Sequence, residues 1–264
     1  MKKKTALITG GATGIGKITA LQLAEKGYQL IINYRSSEME AKGLAIQLEE
    51  SFGTDCLLLQ GDVAKQEDCI RMVHQALTKF SSIDVLIHNA GPYIHERKKL
   101  TDYSFEEWNY LLNGNLSAVF NLSKLTIPIM RKNKWGRIIT LGFDRVETAP
   151  GWIYRSAFAA AKTGLASLTR TIAIEEMING ITANMVSPGD ISTEWKEKTI
   201  EQAFSSDNGL TSVGRSGTGE DIARVISFLV DENSSFITGS IIPVTGGIDV
   251  LGKALKDDQN IKES

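Results

Sequence analysis

Thr5-Ala6-Leu7-Ile8-Thr9-Gly10-Gly11-Ala12-Thr13-Gly14-Ile15-Gly16 is the most telling stretch of the chain. Four residues of apolar strand run straight into a glycine-rich turn. Helical periodicity follows over 14–27. Glycines let a backbone bend sharply and approach a phosphate closely. The helix that opens behind them offers free N–H groups and a partial positive charge. The setting between strand and helix is what gives such a turn meaning. It predicts nucleotide binding, with Gly10, Thr13, Gly14, Ile15 and Gly16 in contact with the ligand.

The second strand ends at Ile31-Ile32-Asn33-Tyr34-Arg35, with Ser36 and Ser37 behind it. In dinucleotide sites an acid about 20 positions after the turn holds the adenosine ribose hydroxyls. Here Tyr34, Arg35 and Ser36 stand in its place. An acid would repel a 2′-phosphate, whereas a guanidinium pairs with one. The expected cofactor is therefore NADP(H) in preference to NAD(H).

Further out, short apolar runs alternate with longer helical patterns. Residues 4–9, 28–33, 56–60, 83–88, 136–142, 181–187 and 240–245 read as strands without strict alternation, the pattern of strands buried on both faces. Residues 14–27, 38–51, 65–80, 104–132, 157–179 and 218–230 read as helices. This alternation predicts an α/β fold: a doubly wound parallel sheet of about seven strands with helices on both faces. No linker and no internal repeat divides the chain. One domain is expected over 1–250, with an irregular substrate loop at 194–213 and a charged tail at 251–264.

Composition narrows the function. With 29 basic and 31 acidic residues the net charge is -2, which gives no bulk attraction to nucleic acid or to an anionic membrane. Two cysteines, Cys56 and Cys69, are too few for a disulfide scaffold or a four-thiolate zinc site, and His74, His88 and His95 show no metal-ligand spacing. No metal is expected. No apolar run approaches the length of a membrane span. The apolar stretch after Lys2-Lys3-Lys4 ends at Thr9, too early for a signal peptide. A cytoplasmic protein is expected.

These features, in this order, resemble the classical branch of the short-chain dehydrogenase/reductase family over about residues 4–250. Gly10, Gly14 and Gly16 have its glycine spacing, and Asp62-Val63 looks like its adenine-contacting pair. His88-Asn89-Ala90-Gly91 is similar to its motif after strand four, and Asn115 stands on the helix that carries its asparagine. Ser187-Pro188-Gly189-Asp190-Ile191-Ser192-Thr193 matches the turn that holds the nicotinamide amide. Thr238-Gly239-Ser240 and Thr245-Gly246-Gly247 match the last strand and its flanks. The resemblance implies a single-domain Rossmann fold. It also implies cofactor contacts from Asn89, Ala90, Gly91, Pro188, Gly189, Ile191 and Thr193, and hydride transfer to a small-molecule or acyl-thioester substrate. The general look is nearest to 3-oxoacyl-acyl-carrier-protein reductases and to sugar dehydrogenases of similar length. A homodimer or homotetramer is implied, built through the helices 104–132 and 157–179 and the last strand.

The chemistry departs from that pattern. The family's proton donor is a tyrosine four residues before a lysine, assisted by an upstream serine. Lys162 is the lysine, but Phe158 stands at the tyrosine position and Phe143 at the serine position. Phenylalanine has no proton to give. The stretch from Phe143 to Phe158 is about two residues longer than usual. Three readings stay open. Another residue supplies the proton: Tyr154, with seven residues between it and Lys162, or Asp144, which as an exposed acid would be ionised. Alternatively the protein binds NADP(H) as a sensor, scaffold or partner subunit without turnover. In the third, substrate or water assists a specialised reductase. Lys162 anchors the ribose in all three, and Asn115 serves either catalysis or the bend of its helix. Phe143, Trp152, Tyr154 and Phe158 make the expected substrate pocket aromatic.

Overall fold

The computed structural model describes residues 3–205 and 213–247. Seven strands form one sheet: β1 (Thr5–Ile8), β2 (Gln29–Tyr34), β3 (Cys56–Gln60), β4 (Val85–His88), β5 (Gly136–Leu141), β6 (Ile181–Pro188) and β7 (Ile241–Val244). Their order is β3-β2-β1-β4-β5-β6-β7, and every pair is parallel. Ala6 lies opposite Leu30 on one side and Val85 on the other. The chain builds outward from β1 to β3, then returns to the far side of β1 to build β4 onward. That reversal leaves a crevice at the carboxyl ends of β1 and β4, where ligands bind in open α/β sheets.

The period of two along the strands sorts the core into two layers. Ala6, Ile8, Leu30 and Ile32 face helices α1 (Gly14–Glu25), α2 (Glu38–Phe52) and α8 (Gly219–Leu229), packing with Leu23, Leu44, Leu48, Ile226 and Leu229. Leu7, Ile31, Leu86 and Ile138 face α3 (Gln66–Phe80), α5 (Ala118–Asn133) and α6 (Ser156–Glu176), packing with Met72, Leu122 and Ile172. A sheet covered on both sides accounts for the unbroken apolar strands.

The stretch 104–132, read as one helix, is three pieces. Ser104 and Glu107 form a capping box that starts α4 (Phe105–Leu112). A π turn follows at Asn113–Ser117, and α5 continues from Ala118. The Asn115 side-chain amide donates to Leu111 O at 3.0 Å and to Pro92 O at 2.9 Å, tying the wide turn to the loop after β4. The loop read at 194–213 holds a short turn at Thr193–Trp195 and the helix α7 (Ile200–Phe204). Residues 206–212 of that loop, and the tail 251–264, lie outside the described residues. Among the described residues no helix is long and apolar enough to cross a membrane, and no three His, Cys, Asp or Glu cluster as metal ligands.

Candidate functional site

The site grows from the end of β1. Gly10 and Gly14 have φ of +58° and +59°, the left-handed region that favours glycine. A Cβ on Gly16 would come 2.6 Å from Gly10 O, so the third glycine is required by close approach of helix to strand. Two side chains lock this turn to β4. The Asn89 amide donates to Thr9 O at 3.0 Å and Gly10 O at 2.9 Å. The Thr9 hydroxyl accepts from the Ala90 N–H at 3.0 Å. Asn33, buried in β2, accepts from the Gly10 N–H and donates to Gly61 O at 3.0 Å.

These elements enclose a cavity of about 220 Å³. Of the residues expected to bind the cofactor, Gly10, Thr13, Tyr34, Arg35, Ser36, Asp62, Val63, Ala90 and Gly91 all line it. Arg35 stands at its edge, with the side chain 58% exposed. Its guanidinium donates to the Tyr110 hydroxyl at 3.1 Å and lies 4.0 Å from the Asp62 carboxylate. The hydrogen bond to Tyr110 raises the Arg35 pKa further, so its charge is constant. Tyr110 comes from α4 and has no signature in the local sequence around the turn. A glycine cradle that a Cβ would fill, helix amides at one end and a guanidinium at the other fit a phosphate-bearing dinucleotide.

The remaining expected residues divide among other places. Ile15 and Gly16 open α1 behind the turn. The Gly14 N–H donates at 2.7 Å to the Glu197 carboxylate, which also accepts from the Lys17 ammonium at 2.8 Å. Gly189 and Ile191 line a separate cavity of about 60 Å³ with Arg215 and Thr245. Pro188 ends β6, and Thr193 opens an exposed turn. Glu197 could not be read from spacing, since the contact joins positions 183 residues apart.

Lys162 is buried on α6, and its ammonium donates to Leu141 O at 2.8 Å. Burial pushes its pKa down to about 8. The ammonium lies 5.7 Å from the centroid of the Phe158 ring. A Cβ on Gly91 would stand 3.5 Å from it and 2.4 Å from Asn115 Oδ1, so Gly91, Asn115 and Lys162 are neighbours. Asn115 Oδ1 is buried without a hydrogen-bond partner among the described residues. His88, fully buried beside Ser123, is driven down to about pKa 3 by desolvation and then by the Lys162 charge, so it is neutral.

Around Phe158 the rings gather. Phe143 is 6.3 Å and Trp152 6.0 Å from it, and Phe143 and Trp152 are 5.0 Å apart. Tyr93 meets Phe158 edge-on at 5.0 Å, and its hydroxyl accepts from Arg155 Nε at 2.5 Å. Tyr93 went unread in the sequence because nothing but the path of the loop after β4 brings it to α6. Tyr154 has φ +63°; its carbonyl accepts from the Tyr103 hydroxyl at 3.0 Å, and Arg97 lies 5.9 Å from its ring centroid. Asp144, expected at the surface, is buried beside Phe143, because the Val146 N–H donates to Phe143 O and Val146 packs into the same apolar cluster, closing the turn after β5 inward. The thiols are inert: burial pushes Cys56 to about 12 and Cys69 to about 11.

Known proteins share this architecture. Residues 10–249 match the family described as Enoyl-(Acyl carrier protein) reductase. The chain is 54% identical over 253 residues to YtkK of Bacillus subtilis, a protein named as an oxidoreductase, covering 94% of this chain and 97% of that one. It is 34% identical to the 3-oxoacyl-[acyl-carrier-protein] reductase FabG of Staphylococcus epidermidis, covering 93% and 98%. A Bacillus thuringiensis structure described as a 3-oxoacyl-reductase superposes with a TM-score of 0.89 at 50% identity, covering 94% and 99%. The parallel seven-stranded sheet, the glycine turn at its switch point and these likenesses lead to one assignment: the chain belongs to the short-chain dehydrogenase/reductase family, oxidoreductases that use a nicotinamide cofactor, and it resembles the 3-oxoacyl-acyl-carrier-protein reductases.

Proposed function

We propose that the chain is an NADP(H)-dependent reductase of a 3-oxoacyl thioester, or of another carbonyl or enoyl group, in which Phe158 and Phe143 replace the family's tyrosine and serine. It would work in the cytoplasm as a homodimer or homotetramer. The observation that carries the cofactor preference is Arg35 at the edge of the cavity, with no acid at the end of β2. When bound, a nicotinamide cofactor supplies the hydride. Lys162 then anchors the ribose, and Pro188, Gly189, Ile191 and Thr193 border the nicotinamide amide. Asn115 holds the π turn against Pro92 and Gly91. The proton comes from a phenol outside position 158. Tyr154 is one source, from the segment before α6. Tyr93 is the other, since its ring touches Phe158 while its hydroxyl accepts from Arg155 and keeps its own proton to give.

A second reading is favoured by the rings themselves. Phe143, Trp152 and Phe158 pack where proton donor and carbonyl partner would stand, as in a protein that binds the cofactor without turning it over. One set of assays separates the two. The parent, Tyr93→Phe, Tyr154→Phe and Phe158→Tyr are tested with NADPH on panels of 3-oxoacyl and 2-enoyl thioesters. Loss of the donating phenol lowers turnover by ~10²–10⁴ while NADPH affinity holds. A parent that binds NADPH yet is silent on both panels supports the second reading. Arg35→Ala weakens NADPH by about 1–2 kcal/mol, the lower part of the range for a charged hydrogen bond because the side chain is largely exposed, and leaves NADH unchanged. Fluorescence titration of both cofactors reads this; equal loss for the two would remove the case for NADP(H).

A further inference from the structure

The Glu197 carboxylate sits on the corner of α1 where a cofactor diphosphate would arrive. One oxygen accepts from the Gly14 N–H at 2.7 Å and the other from the Lys17 ammonium at 2.8 Å. Neither partner is local, so the contact is made by the fold and not by a turn. Partial burial pushes the Glu197 carboxyl up, but Lys17 and the Gly14 amide outweigh it and hold the group below the usual carboxylate range. The segment that carries it is docked on both sides. Lys196 Cβ lies 3.8 Å from where a Cβ on Gly14 would stand. Lys196 O lies 1.8 Å from where a Cβ on Gly219 would stand, so glycine alone lets the segment meet α8. The Ile200 N–H donates to Glu220 at 2.7 Å.

A helix amide and an ammonium are the donor set that an anionic phosphate oxygen takes. The Gly14 amide has one proton, so a carboxylate and a phosphate oxygen compete for it, and a carboxylate held there by Lys17 repels an arriving diphosphate. We propose that Glu197 is an intrachain occupant of the diphosphate seat: Lys17 and the Gly14 amide hold it while no dinucleotide is bound, and a dinucleotide diphosphate takes over these donors and releases the segment 194–200. The inference rests on the dinucleotide reading of the cavity. It assigns Lys17 a ligand role and couples cofactor binding to the segment that follows Thr193. A competitor built into the chain lowers apparent affinity in proportion to the fraction of molecules it leaves open.

The experiment is NADPH titration of the full chain by nicotinamide fluorescence. The variants are Glu197→Ala, Glu197→Gln, Glu194→Gln, and Lys17→Met introduced into Glu197→Ala. Both Glu197 variants are expected to bind NADPH about three- to tenfold more tightly than the parent, the scale of an exposed, charge-assisted contact. Glu194→Gln removes a charge from the same exposed segment and is expected to leave affinity unchanged, which separates occupancy from general repulsion. Lys17→Met in the Glu197→Ala background is expected to weaken binding by a similar factor. Equal or weaker binding by the Glu197 variants, or an equal gain from Glu194→Gln, overturns the proposal and leaves the dinucleotide reading standing. No change on removing Lys17 overturns its ligand role. Failure of every variant and the parent to bind NADPH or NADH overturns the dinucleotide reading and this inference with it.

Discussion

At the scale of single residues, Lys162 connects the sequence pattern to measurable energetics. Its place was legible from its spacing to Phe158 and from the helix around it. Its burial was not, because that depends on Leu141, Phe158 and Gly91 meeting around the ammonium. A buried ammonium costs free energy relative to the unfolded chain, and the lowered pKa of about 8 against an ordinary 10.5 measures it. Between these two values the unfolded chain binds more protons than the folded one, so stability rises with pH across that window. Below about pH 8 the penalty is fully present, on the order of 3 kcal/mol. Lys162→Met removes it. The variant should therefore gain on the parent in urea midpoint at pH 7, less its lost hydrogen bond to Leu141 O, and the gap should close as pH rises from 8 to 10. A gap that stays constant over that range would show that the lysine is not desolvated in the folded protein.

At the scale of elements, most of the sheet was legible and one helix was not. The strands could be read because each is a short apolar run that the parallel sheet buries on both faces; β2, β3 and β5 fall within a residue of their expected ends. The region 104–132 read as a single helix because its apolar spacing continues through the π turn. One extra residue in a helical turn leaves no mark in hydrophobic periodicity, and π turns inside helices recur at functional sites. Asn115 is what makes the turn stable, since its amide takes up Leu111 O and Pro92 O. Asn115→Ala leaves one buried and one part-buried carbonyl without this donor and should cost about 1–3 kcal/mol. Denaturant unfolding of the variant checks the figure. A cost near zero would mean that the helix closes the turn with its own backbone. The link from Glu197 to Gly14 was equally hidden, since spacing rules see neighbours in sequence and not the path of a loop across the mouth of the sheet.

Across the whole molecule, large apolar side chains stand exposed on three helices. Phe105 of α4 and Phe120 of α5 are 86% and 52% exposed, and Ile174 of α6 is 67% exposed. They lie on the helices through which the family resemblance implies assembly, and β7 ends the sheet at an edge. Scattered apolar residues are normal on any surface, but large ones on adjacent helices are what a subunit contact buries. A specific interface of ordinary size removes about 800 Å² per partner, which a helix pair of this length can supply. Sedimentation at micromolar concentration should therefore show a species two or four times the 28.9 kDa chain. Phe120→Glu, which sets a charge on α5 where the partner would pack, should shift the distribution toward the single chain without loss of helical signal. A parent that sediments only at 28.9 kDa would show that these side chains stay in water, and that the assembly usual in the family is absent here.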